Sequence, residues 1–247
     1  MRIAIFTDSF YPTLGGTERA VLGLANELVA QNHEVAVFCP NHPDAVDLQF
    51  DFPVYRCPSI RMTDNDHMAL PRFSRKFAKQ IKAFNPDIIH CQSVSGIANA
   101  GIRYGRKNSV PVVFTVHTKF RQALMGTIKN KFIVNLYVKM IAKRINKAQV
   151  VCTVSHDMVK ELKNYGVKKQ ICVVRNGMMF SREILSEDTK NIAIKKYNIS
   201  PKNIVLLFVG RIVKFKNIDL ILDALKTLKN PDCKAIFAGG GRRFIAL

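Results

Sequence analysis

Acidic residues are scarce in this chain of 247 residues, 18 against 38 lysines and arginines, which leaves a formal charge of +20. Such an excess implies an anionic partner, whether nucleic acid, an acidic membrane surface or a phosphorylated substrate. No uncharged stretch approaches the roughly 20 apolar residues that cross a bilayer, so no spanning helix is expected. The apolar start, Ile3 to Phe6, is interrupted by Thr7 and Asp8. That is too short for a secretory signal, and the expected location is the cytoplasm. The six cysteines are scattered, with no C-x-x-C pair. Zinc and disulfides are disfavoured, and reduced thiols in or beside apolar runs are expected instead. No cluster of ligating residues supports a metal.

What is present begins with Arg2 to Ala20, RIAIFTDSFYPTLGGTERA. Ile3 to Phe6 form the continuous apolar run of a strand buried on both faces, the kind found in parallel sheets. A helix follows, with Ala20, Val21, Leu24, Ala25, Leu28 and Val29 at three-and-four spacing, Thr17 as its expected N-cap and Glu18 in its first turn. Gly15 and Gly16 let the backbone come close to a ligand above the strand end, with helix N–H groups aimed at it. That arrangement suits a phosphate, although a glycine pair is more often only a turn.

Strands are predicted at Glu34–Cys39, Val54–Cys57, Asp87–Cys91, Val112–Val116, Val150–Val154 and Ile171–Val174, and a loop over 60–71. Between the strands lie a basic amphipathic helix marked by Phe73, Phe77, Ile81 and Phe84, a helix over 94–106 despite two glycines, and a helix from 155 to 165 with Ser155 as N-cap. His117 stands at the C-terminal end of its strand, where open α/β sheets bind ligands. Lone strand-end histidines are more often structural. Ser155, His156 and Asp157 suggest a hydrolase only superficially, since triad members meet through the fold and a capping serine explains the order.

From Lys119 to His156 there is no acidic residue, while Lys119, Arg121, Lys129, Lys131, Lys139, Lys143, Arg144 and Lys147 supply eight positive charges. One long helix is predicted over 122–148, with Ile133, Leu136, Tyr137, Met140 and Ile141 as its apolar face. Lys139, Lys143 and Lys147 are spaced by four, where like charges repel by a few tenths of a kcal/mol per pair. Near an anionic bilayer each facing basic residue contributes about 1 kcal/mol, enough to outweigh that repulsion. A core-packed helix with a solvated basic face is the equal alternative.

Residues 178–202 are polar and rich in both charges, and read as an interdomain connection. It separates an N-terminal domain, 1–177, from a second one, 203–247. The second contains an apolar strand over 203–209, a basic loop, a helix over 218–228 and a strand over 233–238 that ends in Gly239-Gly240-Gly241.

Four pieces stand in a telling order: TDSFYPTLGGTE, FTVHT, VVRNG and FVGRIVKFKNIDLILDAL. With them the chain resembles glycosyltransferase family 4, retaining enzymes of the GT-B fold, in which two Rossmann-like domains face a nucleotide-sugar. The resemblance implies that N–H groups at Gly15 and Gly16 approach the donor diphosphate and that His117 hydrogen-bonds the donor sugar. It also implies that Arg211 and Lys216 neutralise the leaving diphosphate, where fixed cations lower the barrier as negative charge grows. The donor, a UDP-hexose, is substrate rather than cofactor, and GT-B relatives generally need no bound metal at the bond-breaking step. The first twenty residues and the acid-free helix look most like the branch that glucosylates diacylglycerol. That likeness implies a lipid acceptor and a peripheral place at the inner membrane face, with Lys129, Lys131, Lys139, Lys143, Arg144 and Lys147 turned to an anionic surface. Other lipid-glycosylating branches share these features.

The sequence departs from the family pattern at Met178 and Met179, where relatives usually carry an acidic residue two positions beyond Asn-Gly. No glutamate follows Glu187, so the E-x7-E element of the donor domain is missing. The resemblance therefore implies a complete acceptor-side domain with only the beginning of a donor domain, a truncated or frameshifted product with little or no transferase activity. A non-catalytic fragment that binds anionic membrane is the second reading. Nucleic acid is third, on charge alone and without a recognised motif.

Overall fold

The computed structural model describes residues 1–62, 67–126, 128–177, 185–210, 212–213 and 216–240. Contacts divide the chain into two compact units, Met1–Met179 and Phe180–Leu247.

The first unit runs β1 (Arg2–Phe6), α1 (Gly16–Ala30), β2 (Glu34–Pro40), β3 (Val54–Cys57), β4 (Ser59–Arg61), β5 (His67–Ala69), a 3-10 turn (Pro71–Phe73), α2 (Arg75–Phe84), β6 (Ile88–Cys91) and α3 (Gly96–Asn108). It continues through β7 (Val112–Val116), α4 (Phe120–Met125), α5 (Lys131–Ile145), β8 (Val150–Thr153), α6 (His156–Tyr165) and β9 (Ile171–Val173). Seven of these strands form one parallel sheet in the order β3-β2-β1-β6-β7-β8-β9. The chain builds outward from β1 in one direction and then reverses, which is the Rossmann arrangement. Side chains alternate across β1 as a strand requires. Ala4 and Phe6 join the core under α2, α3, α5 and α6, while Ile3 and Ile5 join the core under α1. Phe6 stacks on Phe38 of β2, with ring centroids 4.8 Å apart.

Helix α3 shows why two glycines sit inside a helical pattern. A Cβ at Gly101 would lie 3.0 Å from the Phe6 ring, and one at Gly105 would lie 2.7 Å from Val112 Cγ2 and 2.8 Å from the Val110 carbonyl. The helix packs on the sheet at a distance that only glycine allows.

Three expectations are corrected. The loop over 60–71 contains the antiparallel pair β4 and β5 and the 3-10 turn, elements too short to show a period. The long helix over 122–148 is two helices, α4 and α5. The second starts at Asn130, whose side chain accepts from the backbone N–H groups of Phe132 and Ile133. The packed face of α5 is Val134, Val138, Ile141, Ala142 and Ile145, while Ile133, Leu136, Tyr137 and Met140 are exposed. Apolar residues surround this helix, so spacing alone could not single out the inner stripe.

The second unit contains α7 (Glu187–Lys196), capped by Ser186, within the stretch read as a connection. It continues with β10 (Ile204–Val209), α8 (Ile218–Leu228) and β11 (Cys233–Ala238). The two strands are parallel neighbours, from Ile204 opposite Cys233 to Val209 opposite Ala238.

Gly105→Ala is expected to cost about 1–3 kcal/mol by overpacking. Gly16→Ala, with nothing within 4 Å of the new Cβ, should change stability by less than about 0.5 kcal/mol. Thermal unfolding of the two variants beside wild type checks this; equal melting points would contradict the close-packing role.

Candidate active site

Where the strand order reverses, between β1 and β6, the loops after adjacent strands diverge and leave a crevice at the C-terminal edge of the sheet. It encloses about 200 Å³. Thr7, Asp8 and Ser9 after β1, Gln92, Ser93 and Val94 after β6, and His117 and Thr118 after β7 line it, with Thr17 and Glu18 from the first turn of α1.

His117 is held by a chain of hydrogen bonds. Its Nε2 lies 2.6 Å from Gln92 Oε1, Gln92 Nε2 lies 3.2 Å from His90 Nε2, and His90 Nε2 lies 2.7 Å from Thr115 Oγ1. The Nδ1 atom of His117 is buried without a partner. Burial lowers the proton affinity of His117. His90 is pushed down to about 4, first by burial and then by neighbouring His117. The imidazoles are therefore neutral at physiological pH.

Asp8 closes another side. Its carboxylate accepts from the Ser95 hydroxyl and, at 3.2 Å, from the Ser95 N–H at the start of α3. Burial is the main cause that raises its pKa, opposed by the hydrogen bonds from Ser95 and by the charge of Arg144. Arg144 reaches inward and donates to the Val94 carbonyl. It is thus partly buried, whereas Lys129, Lys131, Lys139, Lys143 and Lys147 are exposed.

The loop between β1 and α1 is tied down by Arg56 of β3. Its guanidinium donates to both Asp47 carboxylate oxygens, at 2.7 and 2.8 Å, to Pro40 O at 3.0 Å and to Tyr11 O at 2.7 Å. At the end of that loop, Gly15 rather than Thr17 occupies the N-cap of α1. The buried Glu18 carboxylate lies over Gly15: a Cβ there would stand 2.4 Å from Glu18 Oε2. Around Gly16 the space is open. An anion approaching this helix end therefore meets Glu18 beside the open backbone at Gly16.

Among the expected site residues, His117 lines the crevice, and Gly15 and Gly16 adjoin Thr17 and Glu18 on its wall. Lys216 lies in the second unit, exposed in the turn before α8. Arg211 lies outside the described residues. The sequence reading missed Asp8, Glu18, Arg56, His90 and Gln92. Asp8, His90 and Gln92 flank strand ends as His117 does, and that position was the available signal. Ser155 caps α6, accepting from the Met158 N–H at 3.4 Å, while Asp157 pairs with Lys119, as a capping role requires and a triad does not.

The strand order and the switch-point crevice belong to the GT-B glycosyltransferase fold. Sucrose-phosphate synthase from Thermosynechococcus elongatus matches with a TM-score of 0.74 at 17% identity, over 97% of this chain and 62% of that one. The lipopolysaccharide glycosyltransferase WaaG matches at 0.64 and 13%, over 98% and 64%. The chain belongs to Glycosyltransferase Family 4, whose model matches residues 14–182, and residues 189–245 match the Glycosyl transferases group 1 model. It is 29% identical to an alpha-monoglucosyldiacylglycerol synthase of Streptococcus pneumoniae over 98% of this chain, and 25% identical to one of Acholeplasma laidlawii over the same share. It spans 56% and 64% of the lengths of those two relatives.

The low proton affinity of His90 has a consequence for stability. Unfolding restores a pKa near 6.5, so the unfolded chain binds a proton that the folded one excludes. The contribution is complete above about pH 6.5 and is lost as pH falls towards 4, about 3 kcal/mol in all. Urea unfolding between pH 7 and 4.5 should show wild type losing stability more steeply than His90→Asn; parallel profiles would contradict it.

Proposed function

We propose that this glycosyltransferase moves a hexose from a nucleotide-sugar, a UDP-hexose, to a membrane lipid such as diacylglycerol, with retention. The observation that carries the reading is His117 at the C-terminal end of β7 in the switch-point crevice, within the segment that matches the family model. In this reading His117 hydrogen-bonds the donor sugar, and backbone N–H groups at Gly15 and Gly16 approach the diphosphate. Arg211 and Lys216 are the cations that offset the charge on the leaving group. The two glucosyldiacylglycerol synthases support diacylglycerol as acceptor.

The surface of α5 supports a peripheral place on an anionic membrane at the cytoplasmic face. Among the described residues no helix is long and apolar enough to cross a bilayer. Phe132, Ile133, Leu136, Tyr137 and Met140 nevertheless face outward, and Lys139, Lys143 and Lys147 are exposed on the same helix and just beyond it. An exposed apolar stripe beside lysines is what an interfacial helix needs. This same observation favours the second reading, a non-catalytic chain that binds the anionic surface.

Donor binding is tested by following backbone amide resonances during addition of millimolar UDP-glucose. Gly16 and His117 are expected to shift, and an unchanged crevice would overturn the nucleotide-sugar reading. Surface binding is tested by vesicle flotation. The protein should float with anionic and not with neutral phospholipid. Replacing Lys139, Lys143 and Lys147 together by Gln should weaken binding about 100-fold, at about 1 kcal/mol per residue. Equal flotation with neutral vesicles, or an unaffected triple variant, would remove the electrostatic role.

A further inference from the structure

We infer that Gln92 is a positioning residue that fixes His117 as the Nε2–H tautomer, leaving its Nδ1 lone pair as an acceptor for a hydroxyl group of the sugar ligand. The inference deepens the nucleotide-sugar reading and, in naming the ligand, rests on it.

The Gln92 carbonyl oxygen can only accept a hydrogen bond, so the 2.6 Å contact with His117 Nε2 places the ring proton on that nitrogen. The orientation of Gln92 is set from behind. Its amide nitrogen faces His90 Nε2 at 3.2 Å, a nitrogen that also lies 2.7 Å from Thr115 Oγ1. Each member comes from a strand or the residue following it: His90 and Gln92 from the end of β6, Thr115 from β7, and His117 just beyond β7. The sheet register brings the two strands together here, with His90 opposite Val113 and Cys91 opposite Phe114. The network therefore hangs on backbone hydrogen-bonded along the sheet rather than on a mobile loop.

The remaining ring nitrogen, Nδ1, is buried without a partner. Buried N–H groups are rarely orphaned in folded proteins. A lone pair is the less costly group to leave unmatched there, which agrees with the proton being on Nε2. An acceptor that no described protein group satisfies, on a residue lining the crevice, is suited to a donor brought by a ligand. A neutral imidazole acceptor selects a hydroxyl and offers nothing to a carboxylate at that position.

The test is long-range ¹⁵N–¹H correlation spectroscopy of the full chain with labelled histidine, which reads the protonation of each ring nitrogen directly. Wild type at pH 7.5 is expected to show His117 protonated at Nε2 only. Gln92→Leu should lose the single fixed tautomer, and Gln92→Glu should retain the doubly protonated ring to higher pH. The signals of histidines remote from the crevice report whether each variant is folded. A wild-type ring protonated at Nδ1, or a tautomer unchanged in folded Gln92→Leu, would overturn the role given to Gln92. UDP-glucose and UDP are then added separately to wild type. The Nδ1 signal should move with the sugar nucleotide and not with UDP. An expected tautomer pattern with no response to UDP-glucose would overturn the sugar assignment while the positioning role stands.

Discussion

The first unit depends on one constraint, the burial of β1 on both faces between two parallel neighbours. Ile3, Ala4, Ile5 and Phe6 are 0–5% exposed, so each side of the strand must be covered by helices, and parallel neighbours require crossover connections that supply them. Because β2 and β6 both pair with β1, the chain must reverse its direction of growth there. The reversal parts the loops at the strand ends. The crevice that receives His117 is thus a consequence of how the central strand is buried.

The polar groups at the crevice are held by what burial costs. Removing Asp8, His90 and Gln92 from water is tolerable only where hydrogen bonds replace hydration. Asp8 obtains them from Ser95 at the start of α3, and Arg56 holds the preceding loop through Asp47 and two backbone carbonyls. His90 stays neutral because the ring is dry. The same dryness gives the His117–Gln92 hydrogen bond more weight than it would have in water.

Much of the fold was legible in the sequence because buried parallel strands are continuous apolar runs, and the strands at 34–40, 88–91, 112–116 and 150–153 announce themselves in this way. The α5 region was less legible. Its apolar residues point in every direction, and only packing against the sheet selects Val134, Val138 and Ile141 for the interior while leaving Phe132 and Leu136 outside. Arg144 shows the same limit for charge. In sequence it is one of a row of basic residues, whereas in the fold it turns inward to the Val94 carbonyl, near Asp8.

Apolar periodicity and local capping along the chain are enough to give the α/β class of the first unit and to place His117 at a strand end. That His90 and Gln92 stand behind His117, that Glu18 lies over Gly15, and which face of α5 meets solvent were settled by packing in three dimensions. Those relations join residues from different strands and helices, and local spacing carries no information about what the sheet register and helix packing bring within hydrogen-bond reach.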